Sequence, residues 1–235
     1  MSTPLRKNIS SNRRPTQRGA AVMLEFVLAT TVFLPLTLGT AAVGLALQRF
    51  LQVSSVCRSS ASMFVRGADF SQTSYQRVLG KIATGLGMTD TSGNILTDGN
   101  GEVIFSVIMR VGDSQCASLG YGVGDGRCIN RYKAVVTKRV VVGNSSLRAS
   151  GFGQPVGGSP QADGSYSANF YVLNSSAVVS AFGTAADNNG EVPSAPMHLA
   201  AGEVTYLAEA CFRAPEINLF PSYLNINGYY FYNFF

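Results

Sequence analysis

Residues 20–47 read A-A-V-M-L-E-F-V-L-A-T-T-V-F-L-P-L-T-L-G-T-A-A-V-G-L-A-L, an almost unbroken apolar run with one acid, Glu25, near its start. At about 1.5 Å per helical residue the run reaches about 40 Å, enough to cross a hydrocarbon core of about 30 Å with some tilt. A secretory signal peptide has an apolar core of only about 7–15 residues, although a cut after Ala46 (G-L-A) would leave a soluble secreted chain. A carboxylate inside a span costs about 2.5–3.5 kcal/mol on insertion scales, so Glu25 asks for a reason. Pro35 removes one helical hydrogen bond and predicts a kink, which membrane helices tolerate.

Upstream of this run the charge is one-sided. Arg6, Lys7, Arg13, Arg14 and Arg18 carry no acid among them, and they account for the whole net charge of +5 of the 235-residue chain. Cations gather on the cytoplasmic side of a span, so the N-terminus is expected inside and residues 49–235 outside. The basic balance is therefore a topology signal, and no nucleic-acid partner is expected from it.

Downstream, Phe50, Val53, Cys57, Ala61 and Phe64 recur at three- and four-residue spacing, which carries the helix on as an amphipathic extension to about residue 66, with Gly67 at its end. Tyr75, Val78, Leu79, Ile82 and Leu86 make one stripe of a second helix over 72–87, with Ser71 as its cap. Alternating or continuous apolar runs then predict strands at 102–111, 132–142, 166–173 and 203–213, with a short helix or turn over 175–183. Residues 143–165 and the stretch up to about 202 read as long loops, and the aromatic tail reads as a hairpin turning at Asn227-Gly228. The expected fold class is α+β: a long N-terminal transmembrane and amphipathic helix, a second helix, and a small antiparallel sheet with long loops. The organisation is a basic leader over 1–19, a span over 20–48, the helical extension over 49–66 and an exported domain over 67–235.

Four cysteines outside the cytoplasm favour disulfides. Cys116–Cys128, close in sequence across a glycine-rich loop, is the expected first pair, and Cys57–Cys211 would staple the long helix to a late strand. No CxxC occurs and His198 is the sole histidine, so no metal or cofactor is expected. The loop G-Y-G-V-G-D-G (120–126) lacks phosphate-binding spacing, and only Asp113 and Asp125 stand near it for calcium. Arg131, Lys133, Lys138 and Arg139 form a basic strand that reads as a solvated face, though phosphate contact is its sharper reading. Glu203 and Glu209 share a strand face and offer the one carboxylate pair for hydrolysis, with nothing specific in their spacing. No enzymatic signature and no small-molecule substrate emerge. Tyr229, Tyr230, Phe231, Tyr232, Phe234 and Phe235 put aromatics on both faces of a terminal strand, a candidate contact surface for a neighbouring subunit or the membrane.

The order of elements at the N-terminus resembles the TadE/TadF pseudopilins of tight-adherence (Flp-type) pilus systems: basic leader, Arg18-Gly19, the small Ala20-Ala21, Glu25-Phe26, and an apolar helix holding Pro35. The resemblance covers about 30 residues. It implies a pilin-like protein of the inner membrane, single-pass, with its C-terminal domain periplasmic or extracellular. It implies processing by a prepilin peptidase around Gly19, Ala20 and Ala21; a cut after Ala20 puts Glu25 fifth, a cut after Gly19 sixth. Other pilins and pseudopilins would be the partners, with Glu25 pairing the new α-amine of a neighbour and so fixing subunit register. The competing expectation is an uncleaved, signal-anchored periplasmic domain that binds a ligand or an envelope partner.

Overall fold

A computed structural model describes residues 16–182, 199–213 and 228–235, with side chains from residue 22 onward. The chain divides into two compact units, residues 1–46 and 47–235. Helix α1 runs over Thr16–Val65, beginning at Thr16 rather than Ala20. It ends where the sequence placed its end: Gly67 takes φ +90°, and its N–H and that of Ala68 turn back to Phe64 O and Met63 O. The fold is α+β.

In the larger unit α2 (Thr73–Ile82) is followed by β1 (Gly101–Arg110), α3 (Asp113–Ser118), β2 (Ala134–Gly143), α4 (Ala168–Leu173), β3 (Val204–Phe212) and β4 (Tyr229–Phe234). The strands form one antiparallel sheet in the order β2-β1-β3-β4, with a bulge between Val107 and Ile108. Two 3₁₀ turns, Ser175–Ala177 and Ser180–Phe182, fill the stretch expected as a short helix or turn.

The first face of the sheet is apolar. Val103 and Phe105 of β1, Val140 and Val142 of β2 and Ala208, Ala210 and Phe212 of β3 bury Val53, Val56, Cys57, Ala61 and Phe64 of α1. Phe70 lies flat on Phe105 at 4.1 Å between centroids, with Phe64 tilted against Phe105 at 5.2 Å. Leu79, Ala83, Leu86 and Met88 seal the other flank. The opposite face is split. Ile108, Val136 and Leu207 pack under Val179, Phe182 and Leu199, whereas Glu102, Ser106, Arg139 and Glu209 make a polar half.

Two expectations fail here, and a third is only partly described. Residues 166–173 hold α4 instead of a strand, because Ser167 caps it by accepting from Phe170 N, while Val172 packs with the disulfide in a separate cluster. Gln72 stands at the cap of α2 with no side-chain bond to the helix backbone, while Ser71 and Gln72 both bond Asp69 instead. The tail strand Tyr229–Phe234 pairs with β3, and Asn227 of the expected hairpin turn lies outside the described residues.

Candidate functional site

Within the smaller unit, α1 presents apolar side chains to the outside along its length: Leu24, Phe26, Leu28, Phe33, Leu36 and Val43 are all exposed. Such a surface suits contact with a membrane or with other apolar helices. It is the one helix among the described residues long and apolar enough to cross a membrane. Its threonine hydroxyls are settled internally, as suits a low-dielectric surrounding. Thr30 Oγ1 donates to Phe26 O at 2.8 Å, Thr31 Oγ1 to Leu28 O at 2.8 Å and Thr37 Oγ1 to Phe33 O at 2.9 Å. The helix continues through Pro35, and a shallow groove lined by Phe26, Thr30, Thr31, Leu34 and Pro35 lies over that turn. Glu25 is exposed on the helix surface, ready for a partner or for the membrane edge. Gly19, Ala20 and Ala21 fall within the helix, their side chains outside the described set.

The aromatic strand β4 is covered on both faces more than its composition suggested. Tyr229 and Phe231 enter the α1 side of the core, with Phe50 edge-on to Phe231 at 6.1 Å and the Arg58 guanidinium 5.6 Å over its ring. On the other face Phe152 packs against Tyr232 at 4.9 Å and Phe234 at 5.1 Å, and Arg148 stacks 4.0 Å over Tyr230. The expected contact surface is thereby reduced, for the most part, to Tyr232 and Phe235, each 46% exposed.

Sequence reasoning missed the most unusual group in the domain, a pair of acids under the 148–153 segment. Glu102 and Glu209 are each 1% exposed. Glu102 faces Cys211 across the β1–β3 pair and Glu209 faces Ile104, so the two carboxylates are diagonal neighbours on one face, about 7–8 Å apart by backbone spacing. Glu209 accepts from Ser150 Oγ at 2.5 Å, Tyr230 Oη at 2.6 Å and Gly151 N at 3.0 Å. Glu102 accepts from Arg148 N at 3.1 Å. Burial pushes Glu102 up to about 7 against that bond, and the nearby charge of Glu209 adds to the rise. Burial and the bond to Glu209 likewise raise Tyr230. Arg139 lies beside them, its guanidinium donating to Ser106 Oγ, Gly153 O and Phe152 O, and burial lowers its pKa. The arrangement latches a loop onto the sheet and leaves both acids closed to solvent. The signal was there: Glu102, Ser106 and Arg110 recur at even spacing in a strand that is otherwise apolar.

The carboxylate pair expected for hydrolysis does not form. Glu203 precedes β3, is exposed and accepts from Ala200 N at 2.7 Å, whereas Glu209 is sealed in. The basic strand is dispersed as well. Arg139 is half-buried under the 152–153 carbonyls, Lys138 reaches Asp163 at 3.4 Å and Asp69 at 3.9 Å, and Arg131 bonds Asp113. Asp113 and Asp125 are both taken by arginines, Arg131 and Arg127, and among the described residues no acid, cysteine and histidine group is disposed for a metal. His198 lies outside the described residues.

Cys116 and Cys128 are bonded, their Cα atoms 5.9 Å apart, and close the 117–127 loop. The second expected pair is absent. Cys57 faces the helix side of the sheet, with its thiol towards Ala208 O, while Cys211 alternates onto the acid side beside Glu102. The sheet itself separates the two thiols. Burial holds the Cys57 thiol up at about 12 and raises Cys211 as well.

No protein-family model, curated protein or solved structure matches this chain.

Proposed function

We propose that the chain is a membrane-anchored pseudopilin, a structural or assembly component of a tight-adherence (Flp-type) pilus that a prepilin peptidase processes. The observation that carries this reading is the outward-facing apolar surface of α1 with a lone acid, Glu25, placed just behind a basic leader and an Arg-Gly-Ala-Ala stretch. A helix that runs on past the apolar segment into an α+β domain suits a protein that packs its N-terminal helix among like helices. After cleavage the new α-amine heads an apolar helix, and Glu25 of a neighbour neutralises it, since an unpaired charge in low dielectric is costly. The domain beyond the membrane then makes the contacts between subunits or with other pilins. The reading assigns no catalytic role to the two buried acids, which fasten a loop.

The test is the intact mass of the membrane-extracted chain, produced with and without the tight-adherence prepilin peptidase. Peptidase-dependent loss of residues 1–19 or 1–20 is the expected result and fixes the cut. Full-length mass in both samples leaves an uncleaved anchored domain, and loss of residues 1–46 makes a secreted protein; either outcome ends the pseudopilin reading.

A further inference from the structure

The two edges of the sheet differ. At one edge β2 is covered by later chain: Arg139 N–H donates to Gly164 O, Tyr166 N–H to Thr137 O and Val179 N–H to Ala134 O, each at 2.8 Å. The strand also carries Lys138 and Arg139. At the other edge β4 has neither a cover nor a charge. Its ladder with β3 fixes which groups face outward. Tyr206 and Phe235 exchange both N–H···O bonds, so Asn233, Phe231 and Tyr229 also turn theirs to β3, while the N–H and C=O of Tyr230, Tyr232 and Phe234 point away. Among the described residues no backbone group meets them.

Edge strands are ordinarily guarded by a charge, a proline, a bulge or a covering segment. The Y-Y-F-Y-N-F of β4 has no charge and no proline, and its register with β3 runs without a shift. Its faces are occupied, Phe50 lying against Phe231 on one side and Phe152 against Tyr232 and Phe234 on the other. What stays open is the edge, where Tyr232 and Phe235 are each 46% exposed.

An outward row of alternating donors and acceptors is completed by another strand, and β4 fits a copy of itself. Laid antiparallel about a twofold axis at Tyr232, it sets Tyr232 opposite its own counterpart and Tyr230 opposite Phe234, so every outward N–H meets an outward C=O. A shift of this register leaves one outward residue without a partner in β4. On the Tyr232 face the pairing sets aromatic against aromatic, a favourable cross-strand combination, and no like charges meet because β4 has none. The cations nearby, Arg58 and Arg148, are already held over the rings of Phe231 and Tyr230.

We propose that β4 is a homodimerisation edge, through which two copies of this chain join their four-stranded sheets by antiparallel β4–β4 pairing centred on Tyr232. So short an edge is a small contact, and the dimer is expected to depend on concentration. The pairing goes beyond the pseudopilin reading: it uses only residues of the 47–235 unit and does not depend on how the N-terminus is processed.

The test uses the full chain in detergent, with Cys57→Ala and Cys211→Ser so that an added thiol is the sole free one. Tyr232→Cys lies on the axis, where paired Cα atoms stand about 5.5 Å apart, within disulfide reach. Val123→Cys, 83% exposed on the disulfide-closed loop, reports random collision. Mild oxidation is expected to turn at least half of the Tyr232→Cys chain into covalent dimer and to leave Val123→Cys monomeric. Tyr232→Lys in the parent chain sets like charges opposite each other and is expected to weaken the dimer at least about tenfold in sedimentation equilibrium. Circular dichroism checks its fold, and should that variant not fold, the cross-link alone decides. A parent that sediments as a monomer at every concentration overturns the inference and leaves the edge to a strand of a different protein. A dimer that a folded Tyr232→Lys chain leaves unchanged, or in which Tyr232→Cys cross-links no more than Val123→Cys, joins through α1 or another surface and overturns it too.

Discussion

Glu102→Gln is expected to stabilise the protein, although it removes a charge from a bonded side chain. Glu102 is buried, lies diagonal to a second buried acid, and has one backbone donor, Arg148 N. Its folded pKa is raised from 4.5 to about 7. The unfolded chain therefore gives up this proton at lower pH than the folded one, and between about pH 4.5 and about pH 7 stability falls as pH rises. Each pKa unit is worth about 1.4 kcal/mol, so the contribution lost by pH 8 is roughly 2–3 kcal/mol after allowing for relaxation. Glutamine has the same shape, keeps an oxygen for Arg148 N–H and can donate towards Glu209. At pH 8 the variant should melt higher by about 4–12 °C, at about 2–4 °C per kcal/mol for a domain of this size. At about pH 3 and below the difference should vanish, since both states of the parent are then protonated. The assay is thermal unfolding of the detergent-solubilised full chain, followed by far-ultraviolet circular dichroism across that pH range. A variant that melts at or below the parent at pH 8, or that differs by the same amount at every pH, refutes the reasoning.

Replacing both Cys116 and Cys128 by Ser should cost about 3 kcal/mol from loop-closure entropy alone, read as a lower midpoint in denaturant with a slope equal to or slightly steeper than the parent's, because the unfolded chain expands. Thiol titration of the unfolded, unreduced chain should find two reactive cysteines, Cys57 and Cys211, and a count of none would mean that a second bond forms. Phe105→Ala removes the ring that stacks on Phe70 and touches Phe64, and should destabilise by about 3–5 kcal/mol in the same denaturant titration. Gly143→Ala places a Cβ against Gly101 O at φ +101°, so it should destabilise by at least about 1–3 kcal/mol; a neutral effect would show that the β1–β2 end can shift freely.

The long helix, its end at Gly67, three of the four strands to within two residues and the disulfide between Cys116 and Cys128 were all legible in sequence. Each rests on local pattern: an unbroken apolar run, a glycine where the chain must take positive φ, a period of two, a short loop between cysteines. What sequence did not reveal depends on which residues meet across long separations. The tail's partner among the described strands is β3, a pairing that no local pattern in the tail announces. Cys57 and Cys211 share a strand neighbourhood yet face opposite sides of the sheet, a distinction that only the β1–β3 register settles. Glu102 was read as the first residue of a strand, where an acid is ordinary, and its burial comes from the 148–153 segment that the composition marked as loop. For α4, the aromatic and β-branched residues of 168–173 favoured a strand, and the cap at Ser167 outweighed them.

The strand order β2-β1-β3-β4 has a consequence for how the chain acquires its shape. β1 can zip to β2 after one excursion, but its other edge pairs with β3 about a hundred residues further on, as in Ser106 with Leu207. During vectorial synthesis the β1–β2 ribbon therefore waits with one row of backbone donors and acceptors unmatched, and with Val103 and Phe105 uncovered on the sheet edge. Late, non-local closure of this kind is slow and leaves a sticky intermediate. On the membrane-anchored reading proposed above, α1 would tether the chain, keep each waiting ribbon apart from its neighbours and hold it in reach of its own last strands. The anchor would then serve assembly of the domain itself before it serves any partner.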